Sequence, residues 1–262
     1  DSNPMPERSD YEWPPFHQVQ IPAKDGTILF GEVVLPARLD PRKHYPVWVH
    51  VYGGPRLPTV RDTWQGGRVS DRLMANDGFI VFRVDPRSAS NHGAASGWAA
   101  YRKLSVTEVS DLEDAVRWLC ARYPNADPAR VGITGHSYGG YMTCYAMTHS
   151  KLFAAGIAGA PVTDWRLYDS IYTERYMGLP QENPEGYEIS SASTAGRYLH
   201  GKLLIAHGDI DDNVHIQNTL RFVNALQAAN KDFELMIYPT ARHGWGGEHY
   251  RKLQADFIKR TL

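Results

Sequence analysis

Three side chains spread over the second half of the sequence have the types and order of an acyl-transfer centre. Ser137 lies in Gly135-His136-Ser137-Tyr138-Gly139, a G-x-S-x-G run with Gly140 following. It comes directly after the short apolar run Val131 to Thr134 and opens a helical stretch through Tyr141, Met142 and Cys144. That strand–elbow–helix context is what gives the motif its meaning. Such an elbow strains the serine backbone and lifts the hydroxyl clear of the sheet. Neighbouring chain then comes so close that only glycine fits at 135 and 139. A serine hydroxyl is a weak nucleophile until a base takes its proton, and the usual base is an imidazole oriented by a buried carboxylate. Both follow on loops after later apolar runs, in the order Ser, Asp, His. Gly208-Asp209-Ile210-Asp211-Asp212-Asn213 comes after Leu203 to His207, and His243 stands in Pro239 to Gly244 after Phe233 to Tyr238. Placement alone leaves Asp209, Asp211 and Asp212 open as the acid; the two not used are expected to cap the next helix near Val214 and Ile216. His136 should point away from Ser137 in a structural role, and His207 should support the acid loop. The other histidines lack metal-ligand spacing, so no metal and no cofactor is expected.

These residues need a scaffold, and the flanking pattern supplies one. Apolar, β-branched runs at Val47 to Tyr52, Phe79 to Val84, Val131 to Thr134, Ala155 to Ala160, Leu203 to His207 and Phe233 to Tyr238 alternate with helical segments. The helix Val106 to Arg122 places Val109, Leu112, Val116 and Leu119 on one face and Glu113, Asp114 and Arg117 on the other. Ile216 to Ala229 and Tyr250 to Leu262 read the same way. Strands apolar throughout, alternating with helices, predict a mostly parallel, doubly wound α/β sheet with helices on both faces. Val19 to Ile21 and Ile28 to Leu35, joined through Lys24-Asp25-Gly26, predict an antiparallel hairpin at one edge. Pro36, Pro41 and Pro46 mark a loop. The prolines at 4, 6, 14 and 15 make residues 1–18 an extended linker, leaving 19–262 as the folded unit.

Composition bounds the partners. The 262 residues carry 28 Lys+Arg against 29 Asp+Glu, a formal net charge of −1, which argues against a phosphate-neutralising surface for nucleic acid or a polybasic membrane patch. The longest apolar run, Ala154 to Val162, is too short to span a bilayer. Two cysteines, Cys120 and Cys144, exclude a disulfide-dense scaffold and read as buried small hydrophobes within helices. The chain starts Asp1-Ser2-Asn3-Pro4 without an initiator Met, so it is expected to have been processed or cut from something longer.

Gly-x-Ser-Tyr-Gly-Gly-Tyr (135–141), His-Gly-x-x-Asp-Asp-Asn-Val (207–214) and Tyr-Thr-Glu-Arg-Tyr-Met-Gly-Leu-Pro (172–180) together resemble the catalytic domain of the prolyl oligopeptidase family, closest to its dipeptidyl peptidase IV branch. The resemblance implies an α/β-hydrolase fold and a serine peptidase acting on peptides. It makes Ser137 the nucleophile, Asp211 the acid and His243 the base. By the same likeness, Tyr52 in Val51-Tyr52-Gly53-Gly54-Pro55 and the backbone N–H of Tyr138 become the oxyanion donors. Tyr138, Val162, Trp165, Tyr168, Tyr172 and Val214 become the walls of a proline-sized pocket, where periodicity alone reads the aromatic stretch as a helix on the core. Asn213 becomes a donor to a substrate carbonyl. The implied activity is release of X-Pro or X-Ala dipeptides, with pairing of two copies through this domain. The alternatives are an acyl-peptide hydrolase or carboxylesterase on the same fold, or a non-enzymatic interaction domain, which the intact triad argues against. Two departures stand out. Asp85-Pro86-Arg87-Ser88-Ala89-Ser90 occupies the place of a glycine-rich family segment. The β-propeller that precedes the family's hydrolase domain has no counterpart in these residues and is expected as a missing N-terminal domain.

Overall fold

The apolar runs have no polar face to offer water, so each must be covered on both sides. The computed structural model, which describes residues 13–61, 68–89 and 93–262, meets that demand with one eight-stranded sheet. Its strands are β1 (Phe16–Pro22), β2 (Ile28–Val34), β3 (Tyr45–His50), β4 (Ile80–Asp85), β5 (Ala126–His136), β6 (Ala155–Gly159), β7 (Lys202–Gly208) and β8 (Glu234–Tyr238), in the order β1-β2-β4-β3-β5-β6-β7-β8. From β4 through β3 to β8 all neighbours are parallel. The hairpin joins antiparallel at one edge, with Gly26 at φ 85° turning its loop. The helices are α1 (Val69–Asn76), α2 (Ala94–Gly97), α3 (Val106–Arg122), α4 (Tyr138–His149), α5 (Ser170–Met177), α6 (Pro184–Ile189), α7 (Gln217–Ala228) and α8 (Glu248–Thr261). Among the described residues no helix is long and apolar enough to cross a membrane.

The period of two along each strand sorts the core into two layers. Val47, Val49, Ile80, Phe82, Val84, Leu203 and Ile205 face α3, α4 and α7, with Leu112, Met142 and Phe222. Trp48, Val81, Ile157 and Leu204 face the opposite way, against Ala75 of α1 and Phe257 and Ile258 of α8. Gly132 on β5 lets the Trp48 ring lie flat, since a Cβ there would stand 2.3 Å from the indole.

Two boundaries and two burials differ from the sequence expectation. β1 starts at Phe16, so residues 16–18 belong to the sheet and not to a linker. Trp13 to Pro15 lie outside any element but are held, with Arg72 donating to the Pro14 carbonyl at 2.5 Å and standing over the Trp13 ring; the rest of the expected linker, 1–12, lies outside the described residues. Pro46 is inside β3, not in the loop. Lacking an N–H, it is tolerated because the β3–β5 register shifts between Tyr45 and Val47. Asp114 is buried, accepting from Lys24 N at 2.9 Å, because the hairpin packs over the side of α3 that helical periodicity assigns to solvent. Cys120 is only partly buried, whereas Cys144 is fully so, and both are free.

The segment replacing the glycine-rich stretch is organised by side chains. Asp85 accepts from Thr59 N and Oγ1 and from Val60 N at 2.7–3.0 Å. Arg87 grips Asp111 through two nitrogens, and Ser88 Oγ donates to Glu108 at 3.0 Å. Ser90 lies outside the described residues.

The sheet is predicted to depend on the Trp48 layer: Trp48→Ala should cost about 3–5 kcal/mol, read as a lower urea midpoint with an unchanged slope.

Candidate active site

The β5–α4 junction is built by close contact. Ser137 has φ 61° and ψ −120°, a region costly for any residue with a side chain. Its N–H donates to the Gly159 carbonyl of β6 at 2.8 Å, and its carbonyl accepts from Tyr141 N at 2.9 Å. A Cβ on Gly135 would lie 2.4 Å from the Gly139 backbone, and one on Gly139 would lie 2.4 Å from the Val51 carbonyl. Gly140 is as confined, 2.2 Å from the Gly159 carbonyl. Tyr138 is the first residue of α4, so its N–H is among the donors a helix cannot satisfy internally.

Loops after β7 and β8 bring the other two groups to this elbow. Ser137 Oγ and His243 Nε2 are 2.9 Å apart, and His243 Nδ1 and Asp211 Oδ2 are 2.8 Å apart. With Nδ1–H donating to the carboxylate, Nε2 is left to accept the serine proton. Asp211 is buried, and its Oδ1 accepts from Asn213 N and Val214 N, both at 2.9 Å. His207, also fully buried, puts Nε2 2.8 Å from the Val214 carbonyl and 3.2 Å from Asp211 Oδ2, while Nδ1 is 2.7 Å from Thr219 Oγ1. The carbonyl requires Nε2–H, so Nδ1 accepts from the threonine. Burial depresses the pKa of His207 below the usual imidazole value, so a neutral imidazole lies against the acid. His136 turns from Ser137 and puts Nε2 2.7 Å from the His243 carbonyl; burial lowers its pKa as well.

Asp209 and Asp212 do not cap a helix. α7 starts only at Gln217, and Ile216 before it gives no side-chain cap. Asp212 instead pairs with Arg242 at 2.5 Å, tying the acid loop to the base loop. The turn ahead of α7 is stabilised by Asp211 itself.

Tyr52 follows β3, with Gly53 at φ 78°. Gly54 has no Cβ to crowd the Tyr52 ring, which would lie 2.7 Å away. Burial raises the Tyr52 phenol pKa against the pull of the Ser137 hydroxyl beside it, so the group keeps a proton to donate. Tyr138 lies 6.0 Å from Tyr52 and 5.5 Å from Trp165, ring centre to ring centre. Trp165 stacks on Tyr172 at 5.8 Å and meets Tyr168 edge-on. The Tyr168 hydroxyl donates to Asn213 Oδ1 at 2.7 Å, leaving the amide Nδ2–H groups for another acceptor. Val162 and Val214 are fully buried behind these rings. The aromatic stretch is not one helix: Trp165–Leu167 form a 3₁₀ turn capped by Asp164, and α5 begins at Ser170 under a cap from Asp169. That break turns Trp165, Tyr168 and Tyr172 towards each other.

Known proteins resemble the chain in sequence and in fold. Residues 69–262 match the model of the prolyl oligopeptidase family. The chain belongs to that family. It is 36% identical to human dipeptidyl peptidase 8 over 246 residues, 90% of this chain and 27% of that protein. It is 38% identical to human prolyl endopeptidase FAP over 245 residues, 91% of this chain and 32% of that protein. Among solved structures, dipeptidyl peptidase 4 of Porphyromonas gingivalis superimposes with a TM-score of 0.94 at 38% identity, covering all of this chain and 38% of that one. A putative dipeptidyl aminopeptidase IV from Bacteroides ovatus gives 0.93 at 37% identity and 37% of its length. The chain thus spans about a third of the relatives it matches, and the fold is the α/β-hydrolase fold of the family's catalytic domain.

Two residues at the site escaped sequence reading. Trp245 lies 5.0 Å from His136 and 5.6 Å from Tyr238, ring to ring, and backs the His243 loop; an aromatic two residues after the base, between glycines, was the available signal. Glu108 is fully buried, and its charge is felt at Tyr138 and Tyr172. It shares a helix face with Leu112 and Ala115, and a carboxylate on an apolar stripe is itself a signal.

Two outcomes follow. Gly139→Ala should abolish labelling of Ser137 by a small fluorophosphonate. For the neutral histidines, the unfolded chain takes up protons as pH falls below 6.5 while folded His207 refuses them, so stability falls on acidification. His207→Gln should show a shallower drop in melting temperature between pH 7.5 and pH 5 than the parent.

Proposed function

We propose that this chain is the catalytic unit of a serine dipeptidyl aminopeptidase that releases X-Pro and X-Ala dipeptides from peptide N-termini. The observation that carries the reading is the hydrogen-bonded row Ser137–His243–Asp211, 2.9 and 2.8 Å, opening beside the aromatic cage. The names borne by similar proteins support it: a dipeptidyl peptidase in human and a dipeptidyl aminopeptidase in bacteria.

In this reading His243 Nε2 takes the Ser137 proton as Oγ attacks the carbonyl of the residue held in the cage. The negative oxygen that forms is met by the Tyr52 hydroxyl and the Tyr138 N–H; a donor of this kind contributes roughly 2.7–4 kcal/mol to lowering the barrier. The imidazolium, stabilised by Asp211, gives its proton to the leaving amine as the C–N bond breaks. Water then repeats the sequence, with His243 as base, and frees the acyl group. Flat rings at Tyr138, Trp165, Tyr168 and Tyr172 offer apolar area to a pyrrolidine ring, which has no donor to satisfy. The Asn213 amide is placed to hold a substrate carbonyl.

The test is hydrolysis of a Gly-Pro chromogenic amide by the full-length protein. Turnover is expected, with kcat lowered ~10⁴-fold in Asp211→Asn and no turnover in Ser137→Ala. Brisk hydrolysis of acyl esters with none of Gly-Pro amides would overturn the proposal.

A further inference from the structure

One buried carboxyl group of the molecule has no part in the proposed acyl transfer. Glu108, in the first turn of α3, is completely buried. Its Oε1 accepts from Ser88 Oγ at 3.0 Å, but among the described residues Oε2 closes no hydrogen bond. Close by, the Tyr138 hydroxyl is equally buried and closes no full hydrogen bond among the described residues, while the Ser105 hydroxyl acts on it, and the charge of Glu108 is felt at Tyr138, Tyr141, Tyr145 and Tyr172. Between them lies Ser105, fully buried, with φ 66°. Buried polar atoms are rarely left unpaired, and each one that is costs about 1–3 kcal/mol. Burial also pushes the Glu108 pKa up to about 7, so towards neutrality the group carries a proton it can donate.

The simplest alternative is a helix cap, because Ser105-x-x-Glu108 has capping-box spacing. The contacts do not fit it: the Ser105 side chain makes no cap bond and its hydroxyl goes to Met142 Sδ at 2.9 Å. The Ser105 N–H favours the Glu108 charge without closing a hydrogen bond to Oε2.

We infer that Glu108 is a positioning residue for the substrate pocket: its Oε2 and the Tyr138 hydroxyl share one internal water with Ser105 Oγ, and this bridge holds the Tyr138 ring against Trp165, so that the cage keeps the size of a pyrrolidine ring. Three polar partners are the usual complement of a buried water. Ser88 ties this carboxyl group to the unusual 85–89 segment, which gives the segment a role in specificity rather than only in folding. The inference rests on the proline-pocket reading above.

The experiment measures binding of two peptide boronates, one with a proline-like and one with an alanine-like residue next to boron, to the full-length parent, Glu108→Gln and Glu108→Leu. Labelling of Ser137 by a small fluorophosphonate reports nucleophile integrity separately. Gln can still serve both Ser88 and a water, so it should keep the parent's preference for the proline boronate. Leu, similar in volume but apolar, should lose about fivefold of that preference, the worth of one net hydrogen bond, at an unchanged labelling rate. A Leu variant with the parent's preference overturns the inference and leaves the pocket reading intact. A parent with no preference overturns the pocket reading and this inference with it. Should Leu fail to fold, a high-resolution crystal structure of the parent decides: a water within hydrogen-bond reach of both Glu108 Oε2 and Tyr138 Oη supports the bridge, and density without it overturns the bridge.

Discussion

The site depends on one steric contact, the approach of the Val51 carbonyl to the backbone at Gly135 and Gly139. β3 and β5 are neighbours in the sheet, so the loop leaving β3 passes directly beside the β5–α4 turn. With no Cβ at either glycine the two backbones close, and Ser137 is held at φ 61° by bonds to β6 and α4. The same approach delivers Tyr52 to the serine side of the turn. The strained serine, the N–H of Tyr138 and the Tyr52 phenol are therefore consequences of a single packing event. Strain of this kind costs about 1–3 kcal/mol and persists only where its surroundings over-determine it; here three parallel strands do so.

The acid is held in a complementary way. Asp211 is removed from water, and among the described residues its partners are backbone N–H groups and imidazoles. Two backbone N–H groups satisfy Oδ1, while Oδ2 bonds His243 and has the neutral His207 3.2 Å away. Neutral donors hold a carboxylate in place without cancelling its charge, so that charge remains available to an imidazolium formed at His243. A lysine or arginine in the position of His207 would neutralise the acid and weaken its hold on the base. Around this pair His136, Trp245 and the Asp212–Arg242 ion pair brace the loop carrying His243. A loop with so few apolar anchors of its own needs such props to present an imidazole at 2.9 Å.

The aromatic cluster shows how a break in regular structure brings side chains together. A continuous helix over 162–176 would point its aromatic residues in turn round the axis and bury only one stripe. The caps from Asp164 and Asp169 end one short turn and start another. Trp165, Tyr168 and Tyr172 then converge on Tyr138 from two segments, and the hydroxyl of Tyr168 orients Asn213. In the proposed reading, these apolar walls and the single fixed amide would give size selection and register.

The alternation of apolar runs with helices settles the layered parallel sheet, because strands with no polar side can exist only when covered on both faces. The elbow, the order Ser137, Asp211, His243 and the edge hairpin are equally local: each follows from residue type and spacing within a few positions. Helical periodicity misplaced Asp114 and passed over Glu108 because it describes a helix against one flat core, whereas α3 is also covered by the hairpin and by the 85–89 segment. Breaking the aromatic stretch and bringing the Asp211 and His243 loops to the elbow both depend on distant strands meeting at one end of the sheet. Those encounters are set by which strand lies beside which, a property of the folded sheet that no short window of residues contains.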